Sequence, residues 1–337
     1  HTYIPNYSQI NKLTNFNKTN RSKYDIEDFI VTSPKIDSEG NFIFNNWSVL
    51  VKTNLCGDPI WVNQETNYKQ SIETDHEGNF WVPAKNSKVN PKLFEIIGKK
   101  WGNFEEDQIT KTSKTGESLY IKSLVDIFFE NNLSHLIFGQ SLFIHDPFHL
   151  TDIQPVLKDG KYWKKGDLFL NVRNMSLVIL YRPQTGKIIN VLGGKFSHQQ
   201  EIDIISDTEI GILNNNRLTV KSGTGKKILN NQFNKYILYD FNNKKYKNFF
   251  EEKFKIHEIK TESDGTVEIL NDNSFFVEES LYGRILLFNR NGKLIFEYLN
   301  KDKNNKLYPL YFSSIIEDQI RVKSIKNVVK NSKCKKK

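Results

Sequence analysis

A dense set of ionisable and amide side chains lies between residues 145 and 216. His149 closes the run His-Asp-Pro-Phe-His, Arg173 follows the run Leu-Asn-Val, and His198 comes two residues before Gln200. An imidazole can act as a nucleophile or as a general acid and base. A guanidinium can bind an oxyanion through two parallel hydrogen bonds. These residue types indicate a site that handles an anionic group.

Structural interpretations of the same residues stand beside the functional ones. His149 can pack beneath a loop and hydrogen-bond a backbone carbonyl. Arg173 is next to Val172, and in a strand one of the two would face the core and the other the centre of the molecule. There, Arg173 can form a structural ion pair with Asp152 or Asp167.

Spacing of two residues places side chains on one face of a strand, so His198 and Gln200 are predicted to share a face. His198 is therefore a candidate catalytic residue that would act in place of Gln200. Glu278 and Glu279 are adjacent and would point to opposite faces. We interpret one of them as a structural partner of Arg284.

The element that must position these residues is a repeated strand unit. A polar turn, a glycine and an alternating strand recur in six places: residues 37–44, 75–82, 114–117, 183–189, 263–267 and 290–295. The glycine suits a tight hairpin that needs positive φ. The first three copies recur about every 40 residues, a spacing typical of propeller blades. Six such blades fit between residues 26 and 320. The pattern favours an all-β, six-bladed β-propeller over an irregular β-sandwich.

The remaining segments have other patterns. Residues 119–131 have apolar side chains at helical spacing, with Ser118 as a candidate cap, and predict a short helix inserted between blades. We expect three regions: an N-terminal extension (1–25) that wraps the outside or stays mobile, the propeller (26–320) and a basic C-terminal tail (321–337).

Composition limits the function classes. The chain has 337 residues, a net charge of +9 and a pI near 9.2, and much of its excess positive charge lies in lysines after residue 322. No zinc-finger, RNP or helix-turn-helix signature accompanies the lysines, so we expect no specific nucleic-acid partner. No apolar run approaches 18 residues, so we expect no transmembrane segment.

The chain has two cysteines, Cys56 and Cys334. Two cysteines cannot build a disulfide framework, and we expect no structural role for Cys334 because it lies in the lysine-rich tail. Cysteine usage thus does not indicate a compartment. Asp-rich turns are present, but no full calcium loop is visible, and we expect no metal site. The chain begins at His1, as a mature or truncated product would.

The motifs between residues 145 and 216 resemble, in order, those of the arylsulfotransferases that work without PAPS (the ASST family). The matching runs are Asp146-Pro-Phe-His149-Leu-Thr-Asp152, Gly166-Asp-Leu-Phe-Leu-Asn-Val-Arg173-Asn-Met-Ser176, Thr185-Gly-Lys187, Gln199-Gln-Glu201 and Leu213-Asn-Asn-Asn216. Residues 70–83 and 276–286 extend the resemblance, which covers residues 31 to 316.

The resemblance implies a propeller and a double-displacement reaction. In the family, a histidine takes the sulfuryl group from a phenolic sulfate ester and passes it to a second phenol, with no cofactor. His149 and Arg173 match a family histidine and the arginine that would stabilise the transferring group. Gln70, Asp152 and Arg284 are the substrate-binding candidates. The resemblance also favours an exported or periplasmic protein.

The chain departs from the family pattern at its most important position. Gln200 stands where the family motif Gln-His-Asp has its nucleophile, and a carboxamide cannot be sulfated there because its nitrogen lone pair is delocalised. Lys69 and Gln70 stand in place of His-His, and Glu201 replaces the aspartate.

Three functions therefore stay open. The first is an arylsulfate sulfotransferase with an altered centre, acting on a phenolic sulfate or another small anionic aromatic ligand. The second is a pseudoenzyme, a ligand-binding or assembly propeller whose faces bind a protein partner. The third is an unrelated propeller lyase or hydrolase.

Overall fold

A computed structural model of the chain describes residues 3–15, 29–37, 39–86, 90–97, 104–138, 145–222, 225–228, 232–331 and 334. The chain divides into two compact units, one formed by residues 1–125 with 314–337 and the other by residues 126–313. Both units are built from antiparallel sheets whose strands follow one another in the chain. These sheets are the blades of an all-β β-propeller, which confirms the predicted fold class.

The first unit contains two blades. Blade 1 consists of β1 (Thr32–Ile36), β2 (Phe42–Asn45), β3 (Leu50–Thr53) and β4 (Pro59–Asn63). Blade 2 consists of β5 (Asn67–Tyr68), β6 (Glu73–Thr74), β7 (Phe80–Lys85), β8 (Asp107–Thr112) and β9 (Ser118–Ser123). β5 and β6 both pair with β7 and so act as one interrupted inner strand.

The second unit contains three blades. Blade 3 consists of β10 (Leu150–Pro155), β11 (Leu168–Val172), β12 (Leu177–Arg182) and β13 (Lys187–Gly193). Blade 4 consists of β14 (Gln199–Ile204), β15 (Glu209–Asn214), β18 (Lys235–Asp240) and β19 (Lys245–Phe249), with the hairpin β16 (Thr219–Ser222) and β17 (Gly225–Ile228) inserted. Blade 5 consists of β20 (Thr266–Ile269), β21 (Phe275–Glu279), β22 (Arg284–Phe288) and β23 (Leu294–Leu299).

The prediction of six blades is wrong, since the described residues form five. Gly78 and Gly116 were counted as turns of successive blades, but both lie in blade 2, one before β7 and one between β8 and β9. At the other end, the described stretch from β23 to residue 318 contains only the isolated bridge Lys301–Leu307. The regular spacing of glycines indicates the number of turns and not the number of blades, because one blade can contain two such turns.

Six short helices complete the described structure: α1 (Tyr7–Leu13), α2 (Pro91–Ile97), α3 (Leu124–Glu130), α4 (His135–Phe138), α5 (Glu251–Ile256) and α6 (Gln319–Asn331). The helix predicted over residues 119–131 is correct only in its second half, because residues 118–123 form β9. Ser118 is thus a strand residue and no cap. None of the described helices is long and apolar enough to cross a membrane.

Apolar side chains that alternate along the strands fill the spaces between blades. In the first unit, Ile43 and Leu50 pack with Tyr68 and Val82. In the second unit, one cluster joins residues of blades 3 and 4, and another joins residues of blades 4 and 5. Burial of this alternating face fixes the register of each strand, because a shift of one residue would turn the apolar face outward.

The two ends of the chain are attached to blade 1. Tyr3 stacks on Phe42 with ring centroids 4.1 Å apart, so part of the N-terminal extension packs against the blade. Cys334 forms a disulfide with Cys56. The expectation that Cys334 has no structural role is therefore wrong. The sequence did not indicate this pairing, because the two cysteines are 278 positions apart.

Candidate functional site

Two loops of blade 3 are locked together and carry His149 and Arg173. The Arg173 amide donates to the His149 carbonyl at 3.3 Å, and the Asn174 amide donates to the Phe148 carbonyl at 3.0 Å. The Asn174 side chain donates to the Asp146 carbonyl at 2.8 Å. These hydrogen bonds therefore set the relative position of the backbones that carry His149 and Arg173.

His149 is oriented by an acid on its own loop. Its Nδ1 lies 2.6 Å from Oδ2 of Asp146, and its backbone amide donates to Oδ1 at 3.2 Å. An ionised carboxylate only accepts hydrogen bonds, so in the neutral imidazole this contact assigns the proton to Nδ1 and leaves a lone pair on Nε2. His149 thus has a carboxylate partner rather than the backbone carbonyl of the structural interpretation.

The guanidiniums of Arg173 and Arg217 are both buried, with 6% and 8% of each residue exposed. Nη2 of Arg173 and Nη1 of Arg217 donate to the same carbonyl oxygen, that of Glu262, at 3.3 and 3.2 Å. Nε of each arginine has no hydrogen-bond partner among the described residues. Burial, together with the charge of Arg217, lowers the pKa of Arg173 to about 10.

Neither arginine forms an ion pair with a described carboxylate. The predicted alternatives for Arg173 have other roles, since Asp167 binds Arg182 through two hydrogen bonds. Asp152, a predicted substrate-binding residue, accepts the amide of Ile202 on the next blade at 3.1 Å. Buried charges are costly unless they are paired. Two such cations with donors to spare therefore form a candidate anion site.

Asp264 is a candidate third member of this site. It lies directly before the inner region of blade 5 and has a φ of +61°. Burial raises the pKa of Asp264, while its electrostatic interactions with Arg173 and His149 oppose that rise. These electrostatic interactions place Asp264, Arg173 and His149 in one neighbourhood.

His198 joins the site through Arg217. Its Nδ1 lies 3.1 Å from the Arg217 carbonyl and 3.1 Å from Oγ of Ser197. Its φ is +53°, and β14 begins only at Gln199. The strand alternation that predicted a shared face for His198 and Gln200 therefore does not extend to His198. His149, with a φ of +49° directly before β10, occupies the equivalent position in the preceding blade.

Gln200 is buried at an irregular point of β14, with 2% of the residue exposed. The register of β14 shifts between Gln199 and Glu201, so Gln200 sits in a bulge. Glu201 accepts the amide of Val267 at 2.9 Å and ties blade 4 to blade 5. The correspondence with the family motif, rather than a described contact, assigns Gln200 to the site.

The remaining candidates have other described contacts. Gln70 belongs to the first unit, where its carbonyl accepts hydrogen bonds from Ser33 and Asn45, each at 2.9 Å. Beside it, Lys69 forms a buried ion pair with Asp107, with 2.6 Å between Nζ and Oδ1.

Arg284 binds Glu279, as predicted for one of the paired acids, and donates to the His257 carbonyl at 2.8 Å. It lines a cavity of about 480 Å³ that includes none of the residues of the arginine site. Glu278, the other acid, accepts the amides of Phe312 and Ser313 at 2.9 and 2.6 Å.

Sequence reasoning missed Arg217 and Asp264. Arg217 directly follows the motif that ends at Asn216, so its position was a usable signal. Asp264 lies in a Ser-Asp-Gly run that was interpreted as a hairpin turn. The structure instead places Gly265, with a φ of +119°, in the loop that leads into β20.

Comparison with known proteins assigns the chain to a family. The family model for arylsulfotransferase (ASST) matches residues 36–301, which is most of the chain. The chain belongs to the arylsulfotransferase family, and this confirms the resemblance found in its motifs. Pairwise comparison with curated protein sequences gives no match.

Three solved structures are remotely similar to the chain. A protein of unknown function from Bacteroides caccae is 10% identical over 79% of this chain and 80% of its own, with a TM-score of 0.49. Virginiamycin B lyase from Staphylococcus aureus is 14% identical over 80% of this chain and 70% of its own, with a TM-score of 0.40. The WD40 β-propeller domain of Doa1 is 11% identical over 80% of this chain and 68% of its own, with a TM-score of 0.44. We base no functional statement on these scores.

Proposed function

We propose that this protein is an arylsulfotransferase-like propeller that binds a phenolic sulfate ester at Arg173 and Arg217. The sulfate oxygens would accept hydrogen bonds from the two guanidiniums. His149 and His198 would stand beside the ester. Transfer by the family's usual histidine would be lost, because Gln200 occupies its place.

The observation that carries this proposal is a pair of buried guanidiniums, neither of which forms an ion pair with a described carboxylate. Each has a free Nε donor among the described residues, and both share a single neutral acceptor, the carbonyl of Glu262. A sulfate ester brings the negative charge and the acceptor oxygens that this arrangement lacks. Hydrogen bonds to charged groups contribute about 1.5–3 kcal/mol each, so either arginine should have a measurable effect on affinity.

The experiment is calorimetric titration with p-nitrophenyl sulfate. Wild type should bind the ester, and Arg173→Gln and Arg217→Gln should each lower affinity by about 10- to 100-fold, the equivalent of that energy. Arg290→Gln is the matched control, because Arg290 is exposed and its replacement removes the same charge from the surface. Equal affinities in wild type and both site variants would refute the proposal, as would the absence of binding to wild type.

A further inference from the structure

The two histidines beside the arginine site differ in what holds their Nδ1 atoms. His149 contacts a carboxylate, Oδ2 of Asp146, at 2.6 Å. His198 contacts a neutral carbonyl, that of Arg217, at 3.1 Å. A charged acceptor makes the shorter and stronger hydrogen bond, and it also stabilises positive charge that forms on the ring.

Asp146 is held by one hydrogen bond at its backbone and one at its carboxylate, besides the contact with the His149 ring. The Asn174 side chain donates to the Asp146 carbonyl at 2.8 Å, and the His149 amide donates to Oδ1 at 3.2 Å. The acid and the imidazole are only partly exposed, with 14% and 27% of their side chains accessible. The pair is therefore a fixed His–Asp dyad, and the lone pair on Nε2 of His149 remains available.

His149 is linked to Arg173 of the proposed anion site by a backbone hydrogen bond and by a shared neighbouring acid. The carboxyl of Asp264 interacts electrostatically with both the Arg173 guanidinium and the His149 imidazole. The backbone bond from Arg173 to His149 holds the two residues together at 3.3 Å. A sulfate ester bound by Arg173 would thus lie near an imidazole nitrogen that can react.

We infer that His149 takes over as the sulfuryl acceptor in this chain and that Asp146 is its positioning residue. The inference rests on the proposed function, because it requires the ester to bind at the arginine pair. It departs from the family pattern, in which the nucleophile stands at the position that is Gln200 here.

The step is a displacement at sulfur. Nε2 of His149 donates its lone pair to form an N–S bond, and the S–O bond to the aryl group breaks. The phenolate leaves with the bonding electron pair. The Nδ1 proton stays on the ring and is shared with Asp146, which offsets the positive charge of the sulfated imidazole. A phenol then attacks sulfur, the N–S electron pair returns to Nε2, and the phenol's proton passes to water.

The test mixes the protein with p-nitrophenyl sulfate and no acceptor phenol. Wild type should release a burst of p-nitrophenolate of about one equivalent per chain, and mass spectrometry should place one sulfuryl group on His149. His149→Gln should abolish both signals. Asp146→Asn should slow the burst by about 100-fold while the ester still binds. In ¹⁵N NMR, the same variant should lose the fixed Nδ1–H form of His149 while its backbone amide signals stay dispersed, which separates this effect from loss of fold.

His76→Gln is the matched control and should keep the burst, because His76 is an exposed turn residue that has no part in the proposed site. Calorimetry on the same samples separates the two proposals. Ester binding without a burst would overturn the role of His149 and leave the proposed function standing, whereas absence of binding would refute both. A burst that persists in His149→Gln, or an adduct on another residue, would also overturn the inference. If Asp146→Asn does not fold, the position of the sulfuryl adduct and the burst of His149→Gln still test whether His149 is the sulfuryl acceptor.

Discussion

Arg173 and Arg217, which lie 44 positions apart and on different blades, donate to one carbonyl oxygen, that of Glu262, at 3.3 and 3.2 Å. Burial, and after it the like charge of Arg217, lowers the pKa of Arg173. A single neutral oxygen cannot satisfy two guanidiniums, each of which has five donors. An anion in the site would relieve both deficits.

Inorganic sulfate should therefore stabilise the folded protein. A ligand that binds only the native state adds about 2.7 kcal/mol at 100 times its Kd. Sulfate also stabilises proteins in general by exclusion from their surface, so the Arg173→Gln/Arg217→Gln variant is the reference. Thermal unfolding at matched ionic strength should show a larger sulfate-dependent rise in Tm for wild type. Identical rises in the two proteins would contradict the anion site.

Asp264 should make stability fall as pH rises. Its folded pKa is raised by burial, so the protonated form is favoured in the native state. That stabilisation is complete below the unfolded pKa of about 3.9 and is lost as pH rises through the folded pKa. Asp264→Asn removes the loss. The variant should gain stability relative to wild type as pH rises from about 4 to neutrality.

Urea unfolding across that pH range measures the effect of Asp264→Asn. Asp272→Asn is its control, because Asp272 is exposed and a backbone hydrogen bond from Ser274 lowers its pKa. The difference for the control should have the opposite sign. Parallel stability curves for wild type and Asp264→Asn would show that burial does not shift this carboxyl.

Gln200→His should increase sulfuryl transfer. It restores the family's nucleophile at its own position, and a positioned imidazole contributes about 10²–10⁴-fold in rate. The measurement is steady-state release of p-nitrophenolate with a phenol acceptor. Gln199→His is the control, because the Gln199 side chain donates to the Leu177 carbonyl at 2.9 Å in a structural role. An unchanged rate in Gln200→His would count against the assignment of position 200.

The buried pair of Lys69 and Asp107 should tolerate joint replacement better than single replacement. Their side chains are 4% and 0% exposed. Removing one partner leaves an unpaired buried charge, at a cost of about 3–5 kcal/mol. Lys69→Met should therefore lower the free energy of unfolding by about that amount, and adding Asp107→Leu should recover most of it. Denaturation of the two single variants and the double variant measures the coupling. Additive losses would argue against an ion pair here.

The disulfide between Cys56 and Cys334 should stabilise the protein. Loss of a native disulfide costs about 2–5 kcal/mol, because the unfolded chain gains freedom. Reduction by dithiothreitol should lower Tm, and Cys334→Ser should lower it equally. The variant should not respond further to the reductant. A wild type whose Tm is indifferent to dithiothreitol would show that the bond contributes little.

Local patterns predicted the blades but not their number. Glycines 40, 78, 116, 186 and 292 all have positive φ in turns next to strands, as the repeated phrase predicted. Blade count depends on where one sheet ends and the next begins, and a turn motif does not mark that boundary, because turns also recur within a blade. The helix over residues 119–131 was overestimated because its apolar spacing also suits β9, where sheet pairing overrides helix propensity.

The sequence by itself determined the family, the all-β propeller class and the candidates His149 and Arg173, because ordered motifs and turn chemistry are written in neighbouring residues. Only the tertiary structure decided that Arg217 joins Arg173 at one carbonyl, that Asp146 holds His149, and that Cys334 meets Cys56. Contacts between different blades, or between distant ends of the chain, depend on how sheets pack. The spacing of residues along the chain does not specify how the sheets pack.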